Sequence, residues 1–222
     1  MGYGAAVART REQLLDAAEA VLATEGAGAV TIRRVARDVG LSHGAPLRHF
    51  PTLPALLGTV ATRGFAALSA AVRAAADGVD GVDGADPRAR LRATAGAYTR
   101  FALERPALLT LMFRHDLLDH DDPALADAGA DAFGALVSLV VDAQLTGWHP
   151  QADPRQLAGV LWASVHGMSH LWLTGGYGPT TGTGRIDDAV SLMVQMYALP
   201  SPTIHPSAAP DPPTDQTPLE AP

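Results

Sequence analysis

Cysteine is absent from this 222-residue sequence, which excludes a disulfide framework and thiolate metal ligation and is compatible with a reducing compartment. Lysine is absent as well, beside abundant alanine, glycine and proline. That pattern reflects the codon usage of a GC-rich genome, so the missing lysines carry little functional weight. Runs alternating β-branched with polar residues are nearly missing. With 47% apolar residues, alanine foremost, the sequence predicts an all-α fold. No charged segment precedes an apolar run of roughly 7–15 residues near the start, the mark of a secretion signal. Apolar stretches fall short of a membrane span. The expectation is a cytoplasmic protein with no membrane partner.

A formal net charge of −7 at first opposes a nucleic-acid partner, but its distribution reverses the reading. Residues 1–64 hold seven arginines against five acids, whereas the remainder holds nine arginines against eighteen acids. A mildly basic head on an acidic body suits a DNA reader whose second domain must keep clear of the duplex.

Helical periodicity organises the chain. A first helix is expected from Arg11 to Glu25, capped by Thr10, with Leu14, Ala17, Ala18, Val21 and Leu22 as its apolar stripe and Gly26 and Gly28 ending it. Thr31 caps a short second helix running to about Val39, Gly40 stops it, and Ser42 caps a third that ends near Phe50. Two short helices joined by the turn Val39–Ser42 make a helix-turn-helix. A long alanine-rich helix follows over Leu53–Asp77, with further helices expected at 88–104, 107–118, 123–147, 154–174 and 185–199. The predicted organisation is a helix-turn-helix domain over 1–52, a helical ligand-binding and dimerisation domain over 53–199, and a tail over 200–222. Eight of the last 23 residues are proline, so that tail is expected to be disordered. Aspartate recurs at every third position in 77–87, but the spacing fits no calcium loop and reads as a solvated connector. The Gly175–Gly184 segment is expected to be a loop, and it follows a helix rather than a strand, which suits phosphate cradling poorly.

The segment Thr31–Phe50 carries the strongest functional signal. A helix that enters the major groove needs an open N-terminus and small residues on its approach, which Ser42 and Gly44 supply. Pro46 is expected at the fourth position of that helix, where it removes only the first intrahelical bond. Arg48 and His49 project from its far end, and Arg33, Arg34 and Arg37 decorate the preceding helix at positions suited to phosphates. From Arg11 to Leu57 the sequence resembles the N-terminal domain of TetR/AcrR-family regulators in cap, glycine turn, Ser-x-Gly and His-Phe. Further on, FALERPALLTLMF (101–113) and LWASVHGMSHLWLTG (161–175) resemble the C-terminal class of that family named for a Trp-His-Gly signature, with Val165 in place of the Trp and Trp162 standing one turn earlier.

The resemblance implies a homodimer joined through the last two long helices, a palindromic double-stranded DNA operator, and a small-molecule effector that releases it. The DNA-contacting set it implies is Thr31, Arg33, Arg34, Ser42, His43, Gly44, Ala45, Leu47, Arg48 and His49. Two residues depart from the family pattern: Leu47 stands where an aromatic is usual and Leu53 where a Lys is usual. Each loses a backbone contact, although a leucine at 47 can meet a thymine methyl. For the effector, Tyr98, Phe101, Met112, Phe113, Phe133, Trp148 and Trp162 are candidates for an apolar wall and His166 for a polar handle. A phosphorylated ligand is disfavoured, since the basic residues there are not clustered.

Other readings have less behind them. His166 and His170 share a helix face at a spacing metals can use, and His115, Asp119 and His120 add donors, but the sequence fixes no third ligand. A metal sensor is thus an alternative, and a metallohydrolase lacks the glutamate that should follow the first histidine. An enzyme or carrier with a degenerate DNA-binding head would explain Leu47 and Leu53, yet no nucleophile–base pair appears. An activator or nucleoid protein would need no ligand cavity. No cofactor and no resident metal are predicted.

Overall fold

The computed structural model describes residues 2–42, 44–79, 87–119 and 121–198. Within them the fold is all-α. The helices are α1 (Gly2–Glu25), α2 (Ile32–Asp38), α3 (Leu53–Asp77), α4 (Pro87–Glu104), α5 (Pro106–Met112), α6 (Pro123–Leu145), α7 (Pro154–Leu173), α8 (Tyr177–Thr181) and α9 (Ile186–Ala198), with single 3-10 turns at Ala27–Ala29 and Pro46–Arg48.

Three of the long helices start by one device. Thr52, Asp122 and Asp153 sit in extended backbone and accept backbone N–H bonds from Ala55, Ala124 and Gln156, and a proline follows in the first turn each time. The side chain satisfies an orphan donor and the proline needs none, so each start is set locally, at about 1 kcal/mol per cap. Gly40, at φ 70°, lets Leu41 N–H reach back to the Ala36 carbonyl at 2.9 Å and ends α2.

The core runs continuously from head to body along α3. Leu56, Leu57 and Val60 at its start are buried with Leu14, Leu15 and Leu22 of α1, Val35 of α2, and Phe50. Phe65, Leu68 and Val72 further on meet α4, α5 and α6. Next to Phe65, Gly64 lets α5 approach closely: a Cβ there would lie 2.8 Å from Met112 Sδ and 3.1 Å from Leu108 Cδ1.

Several boundaries differ from those expected. α1 begins at Gly2, so Thr10 lies inside it rather than at its N-terminal boundary. No breaker stands between Gly4 and Arg11, which lets the helix extend N-terminally. The helix expected at 107–118 stops at Met112, and 113–118 turn back on themselves through Phe113, Arg114, Leu117 and Leu118 N–H bonds to carbonyls three or four residues back. The expected Gly175–Gly184 loop holds the short α8. By length and composition, α3 and α6 are each sufficiently long and apolar to cross a membrane, more than the apolar runs suggested. Both pack against neighbouring helices, α3 mostly buried over that stretch and α6 mostly not. The expectations placed on 80–86, His120 and 199–222 lie outside the described residues.

Candidate functional site

The head presents a one-sided polar surface. Thr31 Oγ1 accepts from Arg34 N–H at 3.1 Å and sets the start of α2. Arg33 and Arg37 of α2 are exposed, as are Ser42, Gly44, Leu47 and Arg48; Ala45 and His49 are half-buried. Pro46 is buried, and Phe50 beneath it is 2% exposed with the Arg11 guanidinium 5.2 Å from its ring centroid. The segment is thus anchored through Pro46 and Phe50, while Leu47, 45% exposed, and Arg48 face outward.

Three head expectations are corrected. The third helix is one 3-10 turn, Pro46–Arg48, in place of an α-helix from Ser42. Its cap position is Ala45, without a side-chain bond, and Ser42 contributes only its carbonyl, to Ala45 N–H at 3.0 Å. Pro46 therefore stands first in the turn, where its missing N–H forgoes the bond to Ser42 that an α-helix would make. Arg34, a candidate phosphate contact, also binds Glu25 and Asp38, each at 2.7 Å, and these bonds do not overturn its expected role. The bond to Arg34 holds the Asp38 carboxyl below its usual range, and the Arg34 bond to Glu25 ties the end of α1 to α2. His43 lies outside the described residues.

Behind the head, α3, α4, α6, α7 and α9 surround a cavity of about 220 Å³. Phe65, Leu68 and Val72 of α3, Leu91, Thr94 and Tyr98 of α4, Phe133 and Leu136 of α6, Leu161, Trp162 and Val165 of α7, and Met193, Val194 and Tyr197 of α9 face it, with Phe113, Trp148 and Arg88. One end is an aromatic cluster. Phe113 stands edge-on to Phe65 at 5.6 Å and to the His166 ring at 4.9 Å, while Trp162 lies 5.6 Å from Phe113 and 6.1 Å from Phe133. Such edge and tilted pairings stabilise beyond area burial by about 1 kcal/mol each. At the other end the Tyr197 carbonyl accepts Trp148 Nε1–H at 2.8 Å, and His149 Nε2 lies 3.0 Å from it. This pins the α6–α7 turn to α9.

Of the wall residues expected from sequence, Tyr98, Phe113, Phe133, Trp148 and Trp162 line the cavity. Phe101 and Met112 do not. Phe101 is packed in the core under the Arg105 guanidinium, and Met112 is 2% exposed against Gly64. His166 stands behind the wall, its Nδ1 2.7 Å from the Tyr98 hydroxyl. Burial, then the charge of His170, lowers its pKa, so the ring is held neutral. Burial also pushes the Tyr98 phenol well up. The reading missed Phe65, Leu68, Val72 and the α9 residues as wall. All are apolar or aromatic, but periodicity alone does not separate a core face from a cavity face. No group of three His, Asp or Glu that could hold a metal occurs among the described residues, which leaves the metal-sensor alternative without a site there.

A small head with a helix-turn-helix pattern and a helical body around a cavity are the two parts of a class, the two-domain transcription regulators. The comparisons give the family. Residues 14–60 match the model of the bacterial regulatory proteins of the tetR family, and residues 91–197 match the tetracyclin repressor-like C-terminal domain. The HTH-type transcriptional repressor KstR of Mycolicibacterium smegmatis is 29% identical over 186 residues, covering 83% of this chain and 86% of that protein. A protein of unknown function from Rhodococcus sp. RHA1 has a similar structure, with TM-score 0.73 and 32% identity, covering 84% of this chain and 92% of that one. The TetR family regulator PfmR of Thermus thermophilus shares the fold at TM-score 0.61 and 17% identity, over 84% and 97% of the two chains. The chain thus has the fold and both domains of the TetR-family regulators.

Proposed function

We propose that the protein is a homodimeric repressor that binds a palindromic operator and leaves it when a small apolar molecule fills the cavity. The observation that carries this reading is the position of α3. Its first turns share the core of the head, and its middle, Phe65, Leu68 and Val72, forms a wall of the cavity. A ligand that displaces those side chains moves the helix on which the head rests. It shifts the equilibrium only as far as it binds the two geometries differently. The relative named a repressor supports the direction of regulation.

The dimer is assigned to α7 and α9. Exposed large apolar side chains concentrate there: Val160, Leu171 and Leu173 on α7, Leu192 and Met196 on α9. Gly159 and Gly167 of α7 have open space at the Cβ position, which permits close approach of a second helix. Two heads would then meet successive major grooves about 34–36 Å apart. Arg33 and Arg37 are assigned to phosphates, and Leu47, Arg48 and His49 to the groove, with Ser42, Gly44 and Ala45 on the approach. We also propose that the body belongs to the Trp-His-Gly class, on His166 and Gly167 with Val165 in place of the Trp. Footprinting on the DNA upstream of the protein's own gene tests the reading. A protected palindrome that is exposed again by a bound effector supports it, and uniform cleavage contradicts it.

A further inference from the structure

Several helical threonines among the described residues bond back to their own helix. Thr59, Thr62, Thr99 and Thr110 each donate Oγ1–H to the carbonyl four residues earlier at 2.9–3.0 Å. Thr94 does not. It is 7% exposed, it lines the cavity, and its Oγ1 has no hydrogen-bond partner among the described residues. A buried hydroxyl without a partner is unfavourable and uncommon in a native fold. Of the described wall residues only Arg88 carries charge, and it is exposed. The phenol of Tyr98, one turn beyond Thr94, is already engaged with His166, and the surroundings that keep it protonated would equally penalise a ligand anion. The cavity thus offers an aromatic and aliphatic wall with one unengaged neutral hydroxyl.

Resting on the reading of the cavity as the effector site, we infer that the effector is an uncharged ring compound bearing a hydroxyl or carbonyl oxygen, and that this oxygen bonds the Thr94 hydroxyl. The hydroxyl can donate to a carbonyl or share a bond with an alcohol, so it selects for a neutral oxygen at one place on an otherwise apolar guest.

Calorimetric titration of the full chain with naphthalene, 2-naphthol and 2-naphthoate tests this on one ring system. The wild type should bind 2-naphthol about tenfold more tightly than naphthalene, the worth of one net hydrogen bond, and 2-naphthoate most weakly. Thr94→Val, which keeps the shape, should abolish the preference for naphthol and leave naphthalene binding intact, whereas Thr94→Ser should retain the preference. The unliganded Thr94→Val protein should melt no lower than wild type, since no internal bond is removed. A preference that survives Thr94→Val overturns the inference while leaving the apolar effector site standing. Tightest binding of 2-naphthoate overturns the uncharged class and points to Arg88. Failure of all three probes to bind overturns both the inference and the cavity reading beneath it. A lower melting temperature for Thr94→Val shows a partner within the protein and overturns the role of the hydroxyl.

Discussion

The arginines of the head differ in their partners, and on the proposed function this separates their roles. Arg34 is bound to Glu25 and Asp38, while Arg48 is exposed beside Leu47 at the outer end of the recognition segment. Arg48→Ala should weaken operator binding by about 1–3 kcal/mol if it removes a base contact, measured by fluorescence anisotropy, with the melting temperature unchanged. Arg34→Ala should do the reverse, lowering stability with a smaller effect on affinity. His166 gives a pH prediction. Its folded pKa lies below the ordinary 6.5, so the unfolded chain takes up the proton more readily, and this group's contribution to stability is lost as pH falls below about 6.5. Stability measured by denaturant between pH 8 and pH 5 should therefore fall less steeply in His166→Gln than in wild type, and parallel curves would refute the assignment. The cavity was legible at this scale only in part. Phe113 and Phe101 are both apolar residues of the 101–113 motif, and nothing local tells that the chain turns at Phe113 and swings that ring into the cavity while Phe101 stays in the core.

At the scale of elements, α3 joins the two functions, and its glycines show how tightly. Gly64→Ala would force Met112 and Leu108 to move, at a cost of about 1–3 kcal/mol that outweighs the helix propensity gained. Gly58→Ala meets only Asp122 Oδ2 at 3.8 Å and should stabilise by about 0.5–1 kcal/mol. Thermal denaturation of the two variants should thus move in opposite directions. The head is held to α3 from outside as well: Arg63 reaches Glu12, Asp16 and Glu19 of α1. Where a start is written in one cap and a proline, as at Thr52, Asp122 and Asp153, the sequence and the structure agree within a residue. Agreement fails where the signal is shared between levels. Ser42 has the chemistry of a cap, yet the proline four residues on governs the backbone. Met112 is followed by more apolar residues in helical spacing, yet the packing of Met112 on Gly64 and of Phe113 on Trp162 ends α5 there.

The whole molecule, as proposed, works only as a pair. Leu192, 58% exposed, and Met196, 65% exposed, lie one turn apart on α9, and burying them with Val160 and Leu171 is what the dimer supplies. Leu192→Glu combined with Met196→Glu should give a folded monomer on a sizing column with helical content retained, and its operator affinity should collapse because only one head can bind at a time. A dimer unchanged by both charges would move the interface elsewhere. On the proposed function, the charge division, basic head and acidic body, favours the head as the face that approaches DNA, and the salt dependence of binding should follow the few arginines there. The central claim is sequence-specific DNA reading by this head. Fluorescence anisotropy of the full-length protein on its footprinted operator and on a scrambled duplex of equal length, at one salt concentration, tests it most directly. Sequence-specific reading gives a preference of about a thousandfold or more for the operator, and equal affinity for the two duplexes rules it out.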